Sequence, residues 1–141
     1  MAEAQADPQL MFRVGEAVYG IALSAIREVA LPGPLSRIPN AAGAVLGVMN
    51  LRGRIVVVAD MGLLLGQRPS GLGGAAERLL VLDEGRRDLG LLVSEVLLIV
   101  NLGGVGGKEE APGIEATETF TGEALAARVS TLLADSPPRH S

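Results

Sequence analysis

Apolar residues fall in short runs separated by glycine, proline and polar turn residues. Leu10 to Val14 and Ala17 to Leu23 flank Gly15-Glu16. A two-residue loop with glycine first suits a type II′ turn, whose twist matches the flanking strands, so this stretch predicts a hairpin. Pro32, Pro34 and Pro39 exclude a long helix from Leu31 to Asn40, because proline removes an N–H that a helix interior needs. Val45 to Met49 and Arg54 to Asp60 predict a second strand pair around Asn50-Leu51-Arg52-Gly53. Within it, Ile55-Val56-Val57-Val58 is continuously β-branched, the pattern of a strand buried on both faces. Met61 to Leu65 predicts one helical turn, and Gln67 to Ala76 a loose loop. Glu77 to Leu82 and Asp88 to Val93 then flank a turn at Asp83 to Arg87. Strands this short, joined by turns this close, predict an all-β chain.

The second half echoes the first. Gly15 and Gly20 have counterparts in Gly85 and Gly90, about 70 positions later. Ile21-Ala22-Leu23-Ser24 followed by Glu28-Val29 is echoed by Leu91-Leu92-Val93-Ser94 followed by Glu95-Val96. Gly47 to Asp60 also lies over Gly122 to Asp135 without a gap, each apolar run ending in Ala-Asp. Internal repetition of this kind predicts two small β subdomains, at 10–70 and 77–135 within one domain spanning 10–135. The glycine-rich stretch Gly71-Leu72-Gly73-Gly74-Ala75-Ala76 is read as the linker between them. Residues 1–9 and 136–141 are expected to be disordered. The copies diverge at Asn50-Leu51-Arg52-Gly53, which becomes Leu125-Ala126-Ala127-Arg128. A position that breaks the duplication is a candidate for function rather than for fold.

Composition narrows the chemistry. The 141 residues are 48% hydrophobic, enough for a core, and carry 12 Lys plus Arg against 16 Asp plus Glu, a net charge of -4. That balance argues against nucleic acid, which attracts a basic face. There is no cysteine, the one histidine is His140, and aromatics are 2%. Thiol nucleophiles, thiolate zinc sites, histidine bases and stacking platforms are therefore not expected, and neither is a cofactor or a metal. No run approaches the roughly 18 apolar residues of a membrane span, and the start of the chain lacks a signal-peptide pattern. A cytoplasmic protein without direct membrane insertion is the simplest expectation.

Individual motifs are weighed against plainer readings. Gly103-Gly104-Val105-Gly106-Gly107-Lys108 lacks the first glycine of a phosphate loop, where Leu102 stands, and Glu109 replaces its Ser or Thr; it reads as a loop. Val57-Val58-Ala59-Asp60-Met61-Gly62 resembles the strand end that supplies a carboxylate in small dimeric aspartic proteases. Met61 occupies the hydroxyl position there, and the plainer reading is that Asp60 ends a strand and caps the next turn. Glu28, Glu95 and Glu109-Glu110 read as surface carboxylates, and Arg86-Arg87 as a solvated hairpin tip. Arg52 is the best single candidate. It sits in a tight turn with Gly53 to free the backbone and Asn50 to lock it, and a rigidly presented guanidinium suits a partner carboxylate.

Several stretches then combine. They are Phe12-Arg13-Val14-Gly15, Tyr19-Gly20-Ile21, Ile26-Arg27-Glu28-Val29, Ser36-Arg37-Ile38-Pro39 and above all Gly47-Val48-Met49-Asn50-Leu51-Arg52-Gly53-Arg54-Ile55-Val56-Val57-Val58-Ala59-Asp60. Leu79-Leu80-Val81-Leu82 and Gly90-Leu91-Leu92-Val93-Ser94-Glu95-Val96 continue the series. In this order they resemble the CheW-like family, the adaptor modules of bacterial chemosensory arrays, from about Leu10 to Asp135. The resemblance implies two small SH3-like five-stranded β-barrel subdomains and no catalysis. It implies two partners in the cytoplasmic receptor arrays: the signalling tip of a chemoreceptor (a methyl-accepting chemotaxis protein) and the regulatory domain of a CheA-like histidine kinase. Receptor contacts in the family lie in the groove between subdomains, and by position they map to Ile26, Glu28, Gly47, Asn50 and Arg52. The chain departs from the family's pattern at Val57, at Asp60-Met61-Gly62, at Ser94 and at Pro137-Pro138, where the family has a closing helix. These departures imply a trimmed second barrel and bear more on kinase docking than on receptor binding. The functions in view are a full receptor-to-kinase coupler, a receptor-only accessory protein, and an aspartic protease built on Asp60.

Overall fold

The structure, a computed structural model, describes residues 8–38, 43–70, 73–84, 87–101 and 118–120. The expectations for 1–7, for 136–141, for Gly103 to Gly107 and for Gly122 to Asp135 lie outside these residues; the disorder expected of 1–9 does not extend to Pro8 and Gln9, which open β1 and pair with β8. The first hairpin is β1 (Pro8–Val14) and β2 (Ala17–Ala22). Gly15 is left-handed at φ 62 and Glu16 is not, as a type II′ turn requires. A single 3₁₀ turn (Leu23–Ala25) leads to β3 (Ile26–Ala30). The second hairpin is β4 (Val45–Leu51) and β5 (Arg54–Asp60), followed by the predicted helical turn α1 (Met61–Leu64). Then come β6 (Arg78–Glu84), β7 (Arg87–Val93), β8 (Glu95–Asn101) and β9 (Glu118–Phe120).

Two sheets result, ordered β3-β6-β7-β5-β4 and β8-β1-β2-β9. The all-β expectation holds, and the five-stranded sheet curls towards the expected barrel. Its edge strands are β3 and β4, and the chain leaving β3 reaches across to β4. The Ser36 N–H donates to the Val48 carbonyl and the Val48 N–H to the Ser36 carbonyl, both at 2.8 Å. That crossing requires Gly47. Its φ is 151, and a Cβ there would stand 2.3 Å from the Ser36 carbonyl oxygen. Among the described residues the second sheet has four strands, the last of three residues.

The five-stranded sheet is buried on both faces. Met49, Val56, Val58, Leu79, Val81 and Leu92 fill the inside of its curl. Leu80, Leu82, Leu89, Leu91 and Val93 face the other way and pack on Leu10, Phe12, Val14, Tyr19 and Ile21 of the second sheet. This accounts for the β-branched run in β5, with one exception. Val56 and Val58 point inward and Val57 packs on the intersheet core, but Ile55 beside the turn is 59% exposed.

The sheets cross the boundary drawn between 10–70 and 77–135. The strands β6 and β1 occupy positions seventy apart at both ends, so the repeat in the sequence is a repeat of hairpins. The third strand of each copy pairs with the hairpin of the other. Phe12, Met11 and Leu10 of β1 face Val96, Leu98 and Ile99 of β8. Leu82, Val81 and Leu80 of β6 face Ile26, Glu28 and Val29 of β3. Each pairing is the other shifted by seventy in both strands, with a bulge in the same place. Local hydrophobic alternation marks a strand but carries no information about its neighbour, so this exchange was not readable. Parallel pairing with β2 is made by β9, which thereby takes the place that β5 holds beside β7.

The close approach at Gly47 gives a test. Gly47→Ala is expected to destabilise the chain by about 1–3 kcal/mol in urea unfolding, from backbone strain and the clash with Ser36. Unchanged stability would show that the crossing segment yields freely.

Candidate functional site

The second hairpin turns on two residues, Arg52 at φ 51 and Gly53 at φ 87. Both are left-handed, which defines a type I′ turn, where Asn-Gly is the favoured pair. Among the described residues Arg52 is the one non-glycine with positive φ, a conformation that costs an L-residue roughly 1–2 kcal/mol. Asn50 locks the turn as expected, its Oδ1 accepting from the Gly53 N–H at 2.8 Å. The Arg52 guanidinium donates to both carboxylate oxygens of Glu28. Glu28 stands on β3, at the far edge of the same sheet. The ion pair therefore ties the two edges of the curled sheet together at one mouth, while the Arg52 side chain remains 67% exposed.

A second ionic group lies at that mouth, because β3, β5 and β7 all begin there. Asp88, on β7, accepts from Arg27 Nη1 at 2.6 Å and from Arg54 Nε at 2.8 Å and Nη2 at 3.1 Å. Its side chain is 11% exposed. The Arg54 hydrogen bond, more than any other influence, holds the Asp88 carboxyl below its ordinary 3.8; burial opposes, and Arg27 adds to the lowering. Sequence reasoning missed this role, because Asp88 is simply the first residue of the strand predicted from Asp88 to Val93.

The structure thus brings Glu28, Asn50 and Arg52 together and places the other two candidates elsewhere. The bulge between Ile26 and Glu28 shifts the alternation, so Ile26 packs against the intersheet core while Glu28 projects to the barrel side. Gly47 serves the Ser36 crossing. Between the sheets runs an open apolar groove, lined by Leu10, Val29, Val96, Leu98 and Ile99 and flanked by Arg78 and Glu95. Val29 and Ile99 are exposed and are each other's counterparts in the repeat. Sequence reasoning missed them, because exposed and buried valines look alike in an alternating strand. Glu28 itself has Leu98 as its counterpart, so the charge belongs to one copy only.

The remaining candidates have structural places. Asp60 is 1% exposed; its Oδ1 accepts from the Leu63 N–H at 3.0 Å and the Ser70 N–H at 2.8 Å, capping α1 and pinning the following loop. Glu95 pairs with Arg13 at 2.9 Å. Among the described residues no three acidic or histidine side chains cluster as a metal site, and no helix is long and apolar enough to cross a membrane.

The CheW-like domain family model matches residues 8–104, a span holding both hairpins, the Glu28–Arg52 pair and the groove. The chain belongs to the CheW-like family. A probable chemotaxis protein CheW of Rhizobium etli is 31% identical over 94 residues, covering 65% of this chain and 59% of that protein. A chemotaxis protein CheW of Rhizobium meliloti is 36% identical over 59 residues, covering 42% and 38%. The matches thus span less than two thirds of these CheW relatives. The crystal structure of the scaffolding protein TtCheW from Thermoanaerobacter tengcongensis shares the fold, with a TM-score of 0.65 at 23% identity over 79% of this chain and 77% of that one.

The lowered Asp88 carboxyl fixes a pH dependence. As pH falls, the unfolded chain takes up this proton before the folded chain does. The stabilisation from Asp88 is therefore complete above about pH 5, declines through 3.8 and is lost below the lowered folded value. The difference in urea midpoint between the native chain and Asp88→Asn is expected to be constant from about pH 7 to 5 and to shrink below about pH 4. A difference independent of pH would show that the carboxylate charge contributes nothing.

Proposed function

We propose that this chain is a non-enzymatic CheW-like adaptor of chemosensory signalling, working in the cytoplasm, that binds the helical signalling tip of a chemoreceptor and couples it to a CheA-like histidine kinase. The observation that carries the reading is Arg52: an exposed arginine in a left-handed turn where asparagine would fold at less cost. A strained, solvent-facing residue fixed by Asn50 and Glu28 is what a recognition element requires and what stability alone does not.

Membership of the CheW-like family supports the choice of partner. The groove supports the mode. An amphipathic receptor helix lays its apolar face against Val29, Leu98 and Ile99, while Glu28 and Arg52 beside β3 set register and discriminate among partners. A second reading, an accessory protein that binds receptor without coupling to the kinase, is supported by the departures from the family's pattern at Ser94 and Pro137-Pro138.

Arg52→Asn separates recognition from folding, because asparagine tolerates the left-handed turn. The variant is expected to keep the native melting temperature within a few degrees and to weaken binding to a receptor-tip fragment roughly tenfold. Glu28→Arg is expected to act likewise by reversing the charge at the rim. Pull-down with the receptor tip and, separately, with the kinase regulatory domain distinguishes the two readings. Capture of both marks a coupler, receptor alone marks the accessory form, and capture of neither overturns the adaptor reading and makes a peptidase assay on Asp60 the next step.

A further inference from the structure

We propose that Asp88 is a positioning residue for the Glu28–Arg52 pair, and that its effect on receptor binding, which rests on the adaptor reading above, passes entirely through that pair. Three observations support this. The first is adjacency in the chain: Arg27 immediately precedes Glu28, and Arg54 immediately follows the Arg52-Gly53 turn. Asp88 holds both guanidiniums, so one carboxylate on β7 fixes the two segments that present the pair. The second is that the pair is presented from an edge-strand bulge and a turn. Glu28 follows a bulge in an edge strand, and Arg52 sits in a strained turn on the opposite edge hairpin. Among the described residues no strand ladder joins β3 to β4, which stand at opposite ends of the strand order, and the backbone bridge from Ser36 to Val48 reaches β4 only after the chain has left β3. The third is burial: the Asp88 side chain is 11% exposed, against 28% for Glu28 and 67% for Arg52, so the carboxylate on which Arg27 and Arg54 converge lies deeper than either member of the pair.

Removing the Asp88 charge has a specific consequence. Arg27 and Arg54 converge on one point, and without the carboxylate between them they repel. They also compete with Arg52 for Glu28, which follows Arg27 in the chain. The Glu28–Arg52 pair then opens, even though neither of its members has been altered.

The test is a double-mutant cycle on Glu28→Gln and Arg52→Asn, read by urea unfolding, once in the native chain and once in Asp88→Asn. A merely structural role lowers the stability of all four proteins alike and leaves the coupling untouched. In the native background the coupling is expected to be a factor of about 2–5 in the unfolding constant. With Asp88→Asn it is expected to fall close to one. An equal coupling in both backgrounds overturns the proposal. If Asp88→Asn does not fold, the same cycle in Arg54→Gln decides it, since that variant removes the two-point contact and leaves the carboxylate in place. In the binding arm, Asp88→Asn is expected to weaken receptor-tip binding about 3–10-fold and to add nothing to Arg52→Asn. Additive losses overturn the claim that Asp88 acts through the pair. A coupling that falls while neither Arg52→Asn nor Asp88→Asn changes receptor binding overturns the receptor reading of this face and leaves the positioning role standing.

Discussion

The structure depends on the exchange of third strands between two similar hairpins. Strand β3 completes the sheet begun by β6 and β7, and β8 lies along β1. A hairpin alone offers an unpaired edge and one apolar face, neither of which is stable in water. Here each edge is satisfied by the other copy, and the faces so assembled enclose the core around Phe12, Ile21, Leu80 and Leu91. Each half thus draws an edge and a face from the other, and the sheets run from β1 to β8 across the point where the sequence reads as two.

The functional mouth exists because the exchange leaves β3 at the rim. An edge strand next to a turn can present charge without breaking a ladder. The same rim borders the groove, where Val29 meets Ile99 across the axis relating the copies. The two faces of β3 therefore offer an apolar seat and an ionic contact. The bulge after Ile26 makes this possible, by assigning Glu28 to one face and Val29 to the other.

Much of this was legible in the sequence. Gly15-Glu16 and Asn50 to Gly53 marked their turns because positive φ demands particular residues. Asp60 read as a cap, and the β-branched run read as a strand with two buried faces. Glu28 and Arg52 were placed together through family resemblance, and the structure joins them directly. Other features had no local signal. The partner of a strand, the chain crossing above Gly47 and the one-residue slip that turns Ile26 into the core are all set by contacts far apart in sequence. Asp88 was unreadable for the same reason, since its meaning comes from two arginines 61 and 34 positions away.

Reciprocal strand pairing is the architecture of a swapped homodimer whose two chains have been joined end to end. Joining them replaces a concentration-dependent association with an intramolecular one, so the interface no longer needs to be strong enough to hold free partners together. It also lifts a geometric rule. Identical partners must present identical surfaces twice, whereas a fused pair can keep glutamate at position 28 and leucine at position 98. Among the described residues the fold thereby offers one ionic mouth on a nearly symmetric frame, where a true dimer would repeat it.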